Sequence, residues 1–292
     1  MQNWWLDAID SSWDVVLLEN ANGVYAAWPF VKMKRMFFNV VGIPLLTKYT
    51  SPVIAYPEDQ KLVNKIAYQK EVLLALEKQL PKVSQVDINL DPSITNYMSL
   101  FFKGYKATTH YTYQIRQTSD LDEVFNGFKE HVRRAIRKAQ KNIEVKSAAS
   151  IEDVFRLNQE VYQQQGKKVP FSKMLLQKLD AAAALNKARK IFIAYNKEEE
   201  PIASIYLVED HEKVYYLLGG LAKKYKSSGA ASLLIWRAIE YAGSVGKVFD
   251  FEGSMIPPIE QFVQSFGGEQ IPYFRLNKYN SKFLACLDVF RT

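Results

Sequence analysis

Residues 247–268 read KVFDFEGSMIPPIEQFVQSFGG. The run KVFDFEGS alternates in the manner of a strand, with Phe249 and Phe251 on one face and Asp250 and Glu252 on the other, about 6–7 Å apart along the chain. The paired glycines of SFGG permit positive φ and a close approach of backbone, either to the protein itself or to a substrate.

Working outward, the segment before this strand reads as a helix from about Ser228 to Val245, preceded by the strands IFIAYN, IASIYLVED and VYYLLGGL, with the polar turn KEEEP between the first two. The first part of the chain follows the same order. VVLLENANGVYAAWPF reads as a hairpin around Asn22-Gly23, and RMFFNVVGIP as one further strand-like run. A periodic helix then carries Leu62, Ile66, Leu73, Leu76 and Leu80 near one face, and QVDINLDP is a strand stopped by Asp91-Pro92. Hairpin, strand, helix, strand thus occurs twice, which is the pattern of a duplication at domain scale.

Between the halves, LDEVFNGFKEHVRRAIRKAQKN places Phe125, Phe128, Val132, Ala135, Ile136, Ala139 and Ile143 at the spacing of one helix. Opposite that stripe stand Lys129, Arg133, Arg134, Arg137, Lys138 and Lys141, a basic face suited to phosphates. Helices from about Ile151 to Gln164 and from Ser172 to about Leu185 lead into the second set of strands.

The length of 292 residues fits about two domains. With 48% hydrophobic and 24% charged residues, the chain has the composition of a globular protein rather than a disordered one. The net charge of +7 permits an anionic partner. The single cysteine, Cys286, has no partner for a disulfide and no metal-ligand spacing around it, so a reducing, cytoplasmic setting is expected and no metal site. The opening MQNWWLDAIDSSWD is acidic where a secretion signal needs a basic start, and nowhere do about 18 apolar residues run together, so no transmembrane segment is expected. Trp4, Trp5 and Leu6 have helical spacing from Ile9 and are expected to pack on their own domain rather than on lipid. No G-x-S-x-G, H-E-x-x-H, P-loop or G-x-G-x-x-G occurs, which removes the usual hydrolase, zinc-protease, nucleotide-triphosphatase and dinucleotide readings. His110, His131 and His211 are scattered and are taken as structural or surface residues.

Four segments resemble the FemABX peptidyltransferases of the GNAT superfamily. They are VRRAIRKAQKN with Ile136 and Ala139, KSSGAASLLIWRAIEYAGSVGKVFDFEGS, IEQFVQSFGGEQIPYF as a closing loop and strand, and, more weakly, GIPLLTKYTSPVI. The resemblance implies an α+β (mixed α/β) fold of tandem GNAT-like domains, each a mixed sheet flanked by helices. The division expected is 1–117 for a degenerate GNAT-like domain and 118–292 for the acyltransferase domain. It also implies transfer of an aminoacyl group from aminoacyl-tRNA, or of an acyl group from acyl-CoA, to an amine, on a cell-envelope precursor in the best-known members. A CoA-dependent N-acyltransferase of a small molecule and a catalytically degenerate binding protein are the alternatives. The latter is favoured by Val263, which follows Phe262 where the family commonly has a lysine proposed to stabilise the oxyanion.

Acyl transfer to an amine needs a positioned carbonyl, donors for the oxyanion and a route for the ammonium proton. Asp250 and Glu252 are the expected catalytic residues, either of which could accept the proton of the attacking amine directly or through water. Tyr216, Lys226, Ser227, Ser228, Gly229, Phe262, Phe266 and Gly267 are the expected substrate contacts; Ser227 to Gly229 open a helix whose first N–H groups can hold an anion or a carbonyl oxygen. Arg133, Arg134, Arg137, Lys138 and Lys141 would contact a tRNA donor.

Overall fold

The computed structural model describes residues 2–10, 12–148 and 150–289. In chain order the elements are α1 (Asn3–Ile9), β1 (Trp13–Asn20), β2 (Gly23–Arg35), β3 (Phe38–Gly42), β4 (Val53–Ile54), α2 (Leu62–Gln79), β5 (Gln85–Asn89), α3 (Met98–Phe102) and β6 (Lys106–Ile115). There follow α4 (Leu121–Gly127), α5 (Glu130–Ala139), β7 (Glu144–Ser147), α6 (Glu152–Gln164), α7 (Lys173–Leu185), β8 (Arg189–Tyr195), β9 (Pro201–Glu209) and β10 (Lys213–Leu221). The chain ends with a 3-10 turn (Lys223–Tyr225), α8 (Ala230–Ser244), β11 (Val248–Asp250), α9 (Pro257–Gln264), β12 (Glu269–Tyr279) and α10 (Lys282–Val289). Among the described residues no helix is long and apolar enough to cross a membrane.

Two compact units result, one of Met1–His110 with Pro272–Thr292 and one of Tyr111–Ile271. The last helix, and the last strand from Pro272 onward, therefore lie with the first unit, whereas the expected division at 117/118 places them in the second.

In the first unit β1, β2 and β3 are successively antiparallel, β3 pairs in parallel with β5 across α2, and β5 pairs antiparallel with β12. In the second unit β8, β9 and β10 are successively antiparallel, β10 pairs in parallel with β11 across α8, and β11 pairs antiparallel with β6. The same order and the same strand directions occur in both. The parallel step is what the intervening helix makes possible, since adjacent parallel strands need a crossover. Each unit is a mixed sheet with helices on it, as the family resemblance implied. Trp28, Leu73, Leu76, Ile88 and Leu100 lie in the first core. Ile136, Leu233, Ile239, Phe249 and Phe266 lie in the second.

Two local readings change. RMFFNVVGIP is not one strand: Arg35 pairs with Phe38, so Met36 and Phe37 form a two-residue loop between β2 and β3. Met36 takes φ 56°, a left-handed conformation that costs a residue with a Cβ roughly 1–2 kcal/mol. The basic helix is likewise two helices. Phe128 turns extended (φ −70°, ψ 149°) after Gly127, so α4 and α5 share one apolar stripe but not one axis. At the N-terminus, Trp5 donates its indole N–H to Thr47 (3.0 Å) and Leu6 is buried, in keeping with packing of α1 on its own unit.

Candidate active site

The second unit contains an opening made by β10 and β11. They pair for only three positions, from Lys213 with Val248 to Tyr215 with Asp250, after which β11 ends and β10 runs on to Leu221. At that level β10 carries a bulge, Leu217 being extra between the pairs Tyr216–Leu207 and Leu218–Tyr206. A bulge bends and twists its strand, and so turns β10 away from its shorter neighbour.

The exposed edge of β10 has a defined polarity. Ala222 donates its N–H to Ile202 of β9 (2.9 Å), so by the alternation of an antiparallel ladder the backbone groups of Leu221 and Gly219 point away from β9. Their carbonyls are taken by α6: Asn158 Nδ2 donates to Gly219 (2.8 Å) and Gln164 Nε2 to Leu221 (3.3 Å). The N–H groups of Gly219 and Leu221 are left facing the opening, which makes the edge a donor surface. α6 comes this close because Gly220 has no side chain. A Cβ there would lie 2.6 Å from Leu157 Cβ and 2.7 Å from Ser204 Oγ. On the opposite face the Tyr216 hydroxyl occupies the space a Gly219 Cβ would need. Burial pushes the Tyr216 phenol up to about 12, so it stays a neutral O–H donor at any working pH. Asn158 and Ser204 are buried, and Asn158 Oδ1 and Ser204 Oγ have no protein partner among the described residues.

At the end of β11 the two carboxylates separate. Asp250 is 1% exposed and accepts from Thr112 Oγ1 (2.6 Å), Gln114 Nε2 (2.7 Å) and the Glu252 N–H (2.8 Å). Glu252 has left the strand at φ 56°, followed by Gly253 at 62°, whose missing Cβ would strike the Tyr111 carbonyl. The expected common face of Asp250 and Glu252 is therefore corrected, because the strand stops at Asp250 and the chain reverses. Asp250 holds β6, β11 and this turn together. Glu252 stands half-buried at the turn.

The helix opening is as expected in outline. Ser228 Oγ accepts from the Ala230 N–H (3.1 Å) and donates to the Tyr225 carbonyl (2.7 Å), and Gly229 caps α8 at φ 81°. The Gly229 carbonyl accepts from Leu233, which leaves the Ala231 and Ser232 N–H groups of the first turn without a protein acceptor among the described residues. Lys226 and Ser227 are exposed beside this turn. Gly229 is required here, since a Cβ would lie 2.6 Å from the Ala135 carbonyl of α5. The basic helix thus packs directly against the start of α8.

Its basic face is not unbroken. Arg133 donates to the Asn126 carbonyl (3.0 Å), Arg134 pairs with Glu130 (2.8 Å) and Arg137 lies over the Phe125 ring (5.4 Å). Lys138 and Lys141 are exposed with no such engagement among the described residues.

The closing segment departs from expectation. Residues 257–264 form a helix, α9, with Pro at its first turn, rather than a loop. Val263 and Phe266 are buried, and Phe266 packs on Phe128, Phe251 and Phe262. Phe266 therefore belongs to the core rather than to a substrate surface, with Phe262 packed partly buried beside it. Gly267 and Gly268 approach backbone at Gly127 and Gln114, so their freedom serves packing inside the unit. Beyond them, Tyr113 donates to Glu260 and accepts from Gln270 Nε2 (2.7 Å). Burial and the Glu260 carboxylate hold the Tyr113 phenol above its ordinary value.

Residues 126–254 match the acetyltransferase (GNAT) domain family. Among solved structures, FemX superposes with a TM-score of 0.70 at 12% identity over 98% of this chain and 93% of its own. L-PGS from Bacillus licheniformis gives 0.56 at 14% identity over 95% and 88%. A tandem GNAT protein from the clavulanic acid biosynthesis pathway gives 0.56 at 8% identity over 96% and 89%. No curated protein matches the sequence. The fold is that of the FemABX-like GNAT acyltransferases.

Proposed function

We propose that the chain transfers an acyl group from a phosphorylated thioester carrier, such as acyl-CoA, to an amine. The observation that carries this reading is the parting of β10 from β11 beside an edge whose carbonyls are masked and whose N–H groups are not. An acyl carbonyl lying along β10 would meet the Gly219 and Leu221 N–H groups, with the Tyr216 O–H beside them. Such donors favour the charge that develops on oxygen during attack. The amine nitrogen forms the new C–N bond as the C–S bond breaks. Its surplus proton passes to Glu252, directly or through water, and the thiolate leaves with the carrier. The Ala231 and Ser232 N–H groups at the start of α8, with Lys226 close in sequence, suit the carrier's phosphates.

Val263 bears differently on the degenerate reading than its sequence position suggests. Its side chain is in the core, so a lysine there would be buried among Phe262, Phe266 and their neighbours. The cation missing at 263 is no argument that this opening has lost catalysis.

Aminoacyl-tRNA as donor is the second reading, favoured by the free Lys138 and Lys141 on α5. The acceptor proposed from the family resemblance is an amine of a cell-envelope precursor. Purified protein is titrated with acetyl-CoA and longer acyl-CoAs, and separately with aminoacyl-tRNA, and thiol release is followed with a panel of amines. Saturable acyl-CoA binding with amine-dependent thiol release supports the proposal; binding of aminoacyl-tRNA alone, weakened steeply by salt, transfers it to the second reading. Binding of neither rejects both.

A further inference from the structure

The β2–β3 turn presents the wrong residues for a turn. A two-residue hairpin loop favours Gly, Asn or Asp where φ is positive, yet Met36 holds that position at φ 56° and Phe37 follows it. Both side chains stand mostly in solvent: Met36 is 60% and Phe37 71% exposed. Phe37 stacks on Phe38 (4.4 Å between ring centres), and Phe38 on Phe283 of α10 (6.1 Å), itself 60% exposed. The cluster is thus a ridge of large apolar side chains at a convex tip, a feature that in soluble proteins marks an interaction site.

Its surroundings are cationic. Residues 32–39, KMKRMFFN, contain three cations and no acid. Lys32 is paired with Asp14 and Arg35 donates to Gln85. Lys34 and, beside Phe283, Lys282 are exposed, and neither has a carboxylate partner among the described residues. The protein carries a net charge of +7.

We infer that this tip inserts into the interface of an anionic membrane, Met36, Phe37 and Phe283 entering the acyl boundary while Lys34 and Lys282 meet anionic headgroups. Apolar insertion combined with basic residues is the pair of signals that gives reversible interfacial binding. A convex turn suits a lipid surface better than a protein partner, since a stable protein interface needs about 800 Å² from each side, more than two loop residues and one ring supply.

The test is co-sedimentation of the full chain with vesicles of phosphatidylglycerol and phosphatidylcholine, against vesicles of phosphatidylcholine alone, at low and at 0.5 M salt. Binding is expected to the anionic vesicles at low salt and to fall at least tenfold in high salt or on the neutral ones. Phe37→Ser and Met36→Asn should each weaken it severalfold, and the double variant at least tenfold. Met36→Asn should leave thermal stability unchanged or raised, because Asn tolerates the left-handed position; a residue kept only for the fold would give the reverse. Absence of binding to anionic vesicles, or binding unaltered in the double variant, overturns the inference. So does concentration-dependent self-association of the vesicle-free protein that the double variant abolishes, which would make the occupant a second copy. Thiol release measured without vesicles is independent of all these outcomes.

Discussion

Gly220→Ala probes the layer on which the opening of β10 rests. The added Cβ would lie 2.6 Å from Leu157 Cβ, 2.7 Å from the Leu157 carbonyl carbon and 2.7 Å from Ser204 Oγ. Carbon atoms in contact sit about 3.5–4.0 Å apart, so α6 and β10 must separate by about 1 Å. Two of the three obstructing atoms are backbone or Cβ, which no rotamer change removes. Overpacking of this kind costs about 1–3 kcal/mol, and the rigidity of both elements places it near the upper end. Replacing Gly by Ala restricts the unfolded chain and returns about 0.4–1 kcal/mol, which leaves a net loss of about 2 kcal/mol. Urea unfolding followed by circular dichroism should therefore show a midpoint lowered by about 1 M, for an m-value of about 2 kcal/mol per M. Leu157→Ala introduced in addition should not restore stability, since the obstructing Cβ remains. A further consequence is functional: a displaced α6 withdraws Asn158 from the Gly219 carbonyl, and thiol release should fall with stability. A neutral or stabilising Gly220→Ala would refute the close packing of α6 on β10.

Four further outcomes follow from the geometry. Glu252→Gln should lower amine-dependent thiol release about 10²–10⁴-fold, as for a proton acceptor in the site; unchanged turnover removes Glu252 from the mechanism. Asp250→Asn turns one of two acceptor oxygens into a donor, so that it faces either the Gln114 amide N–H or the Thr112 hydroxyl and Glu252 N–H, and should destabilise the protein by about 2–3 kcal/mol in thermal or urea unfolding. Ser228→Ala removes the hydroxyl that accepts from the Ala230 N–H and donates to the Tyr225 carbonyl, and should cost about 1 kcal/mol, measured the same way. His110 is held below its ordinary value by burial first, then by Arg275 and Lys48. Its proton is therefore bound more readily by the unfolded chain, so its contribution to stability is complete above about pH 6.5 and is lost as pH falls through the lowered folded value. Melting temperatures between pH 7.5 and 5 should decline, and His110→Asn should flatten that decline.

Much of the fold was legible because its elements are periodic. The alternation of QVDINLDP, the apolar runs of β8 to β10 and the stripe of the 230–244 helix each state their own secondary structure, and their repeated order implied tandem domains. The misreadings fall where a local signal was absent or misleading. Met36-Phe37 carries no turn residue, so the loop was invisible in RMFFNVVGIP. α4 and α5 share a stripe that continues in phase across the break at Phe128. KVFDFEGS alternates beyond the point where Asp250, held by three donors, ends the strand.

The site divides in the same way. Ser228 and Gly229 were visible as a helix opening because capping is a short-range property of the chain. Asn158, Gln164 and Gly220 gave no signal, since their roles exist only where α6 meets β10, roughly sixty positions further along the sequence. What the sequence by itself determined was element type, element order and the kind of fold they compose, all set by contacts along the chain and by hydrophobic period. Only the tertiary structure decided that Asp250 is locked between β6, β11 and the following turn while Glu252 leaves the strand, that Phe266 and Val263 face the core, and that an open strand edge presents donors. Those are properties of groups brought together from distant segments, and burial and hydrogen-bond partners are fixed only when the layers pack.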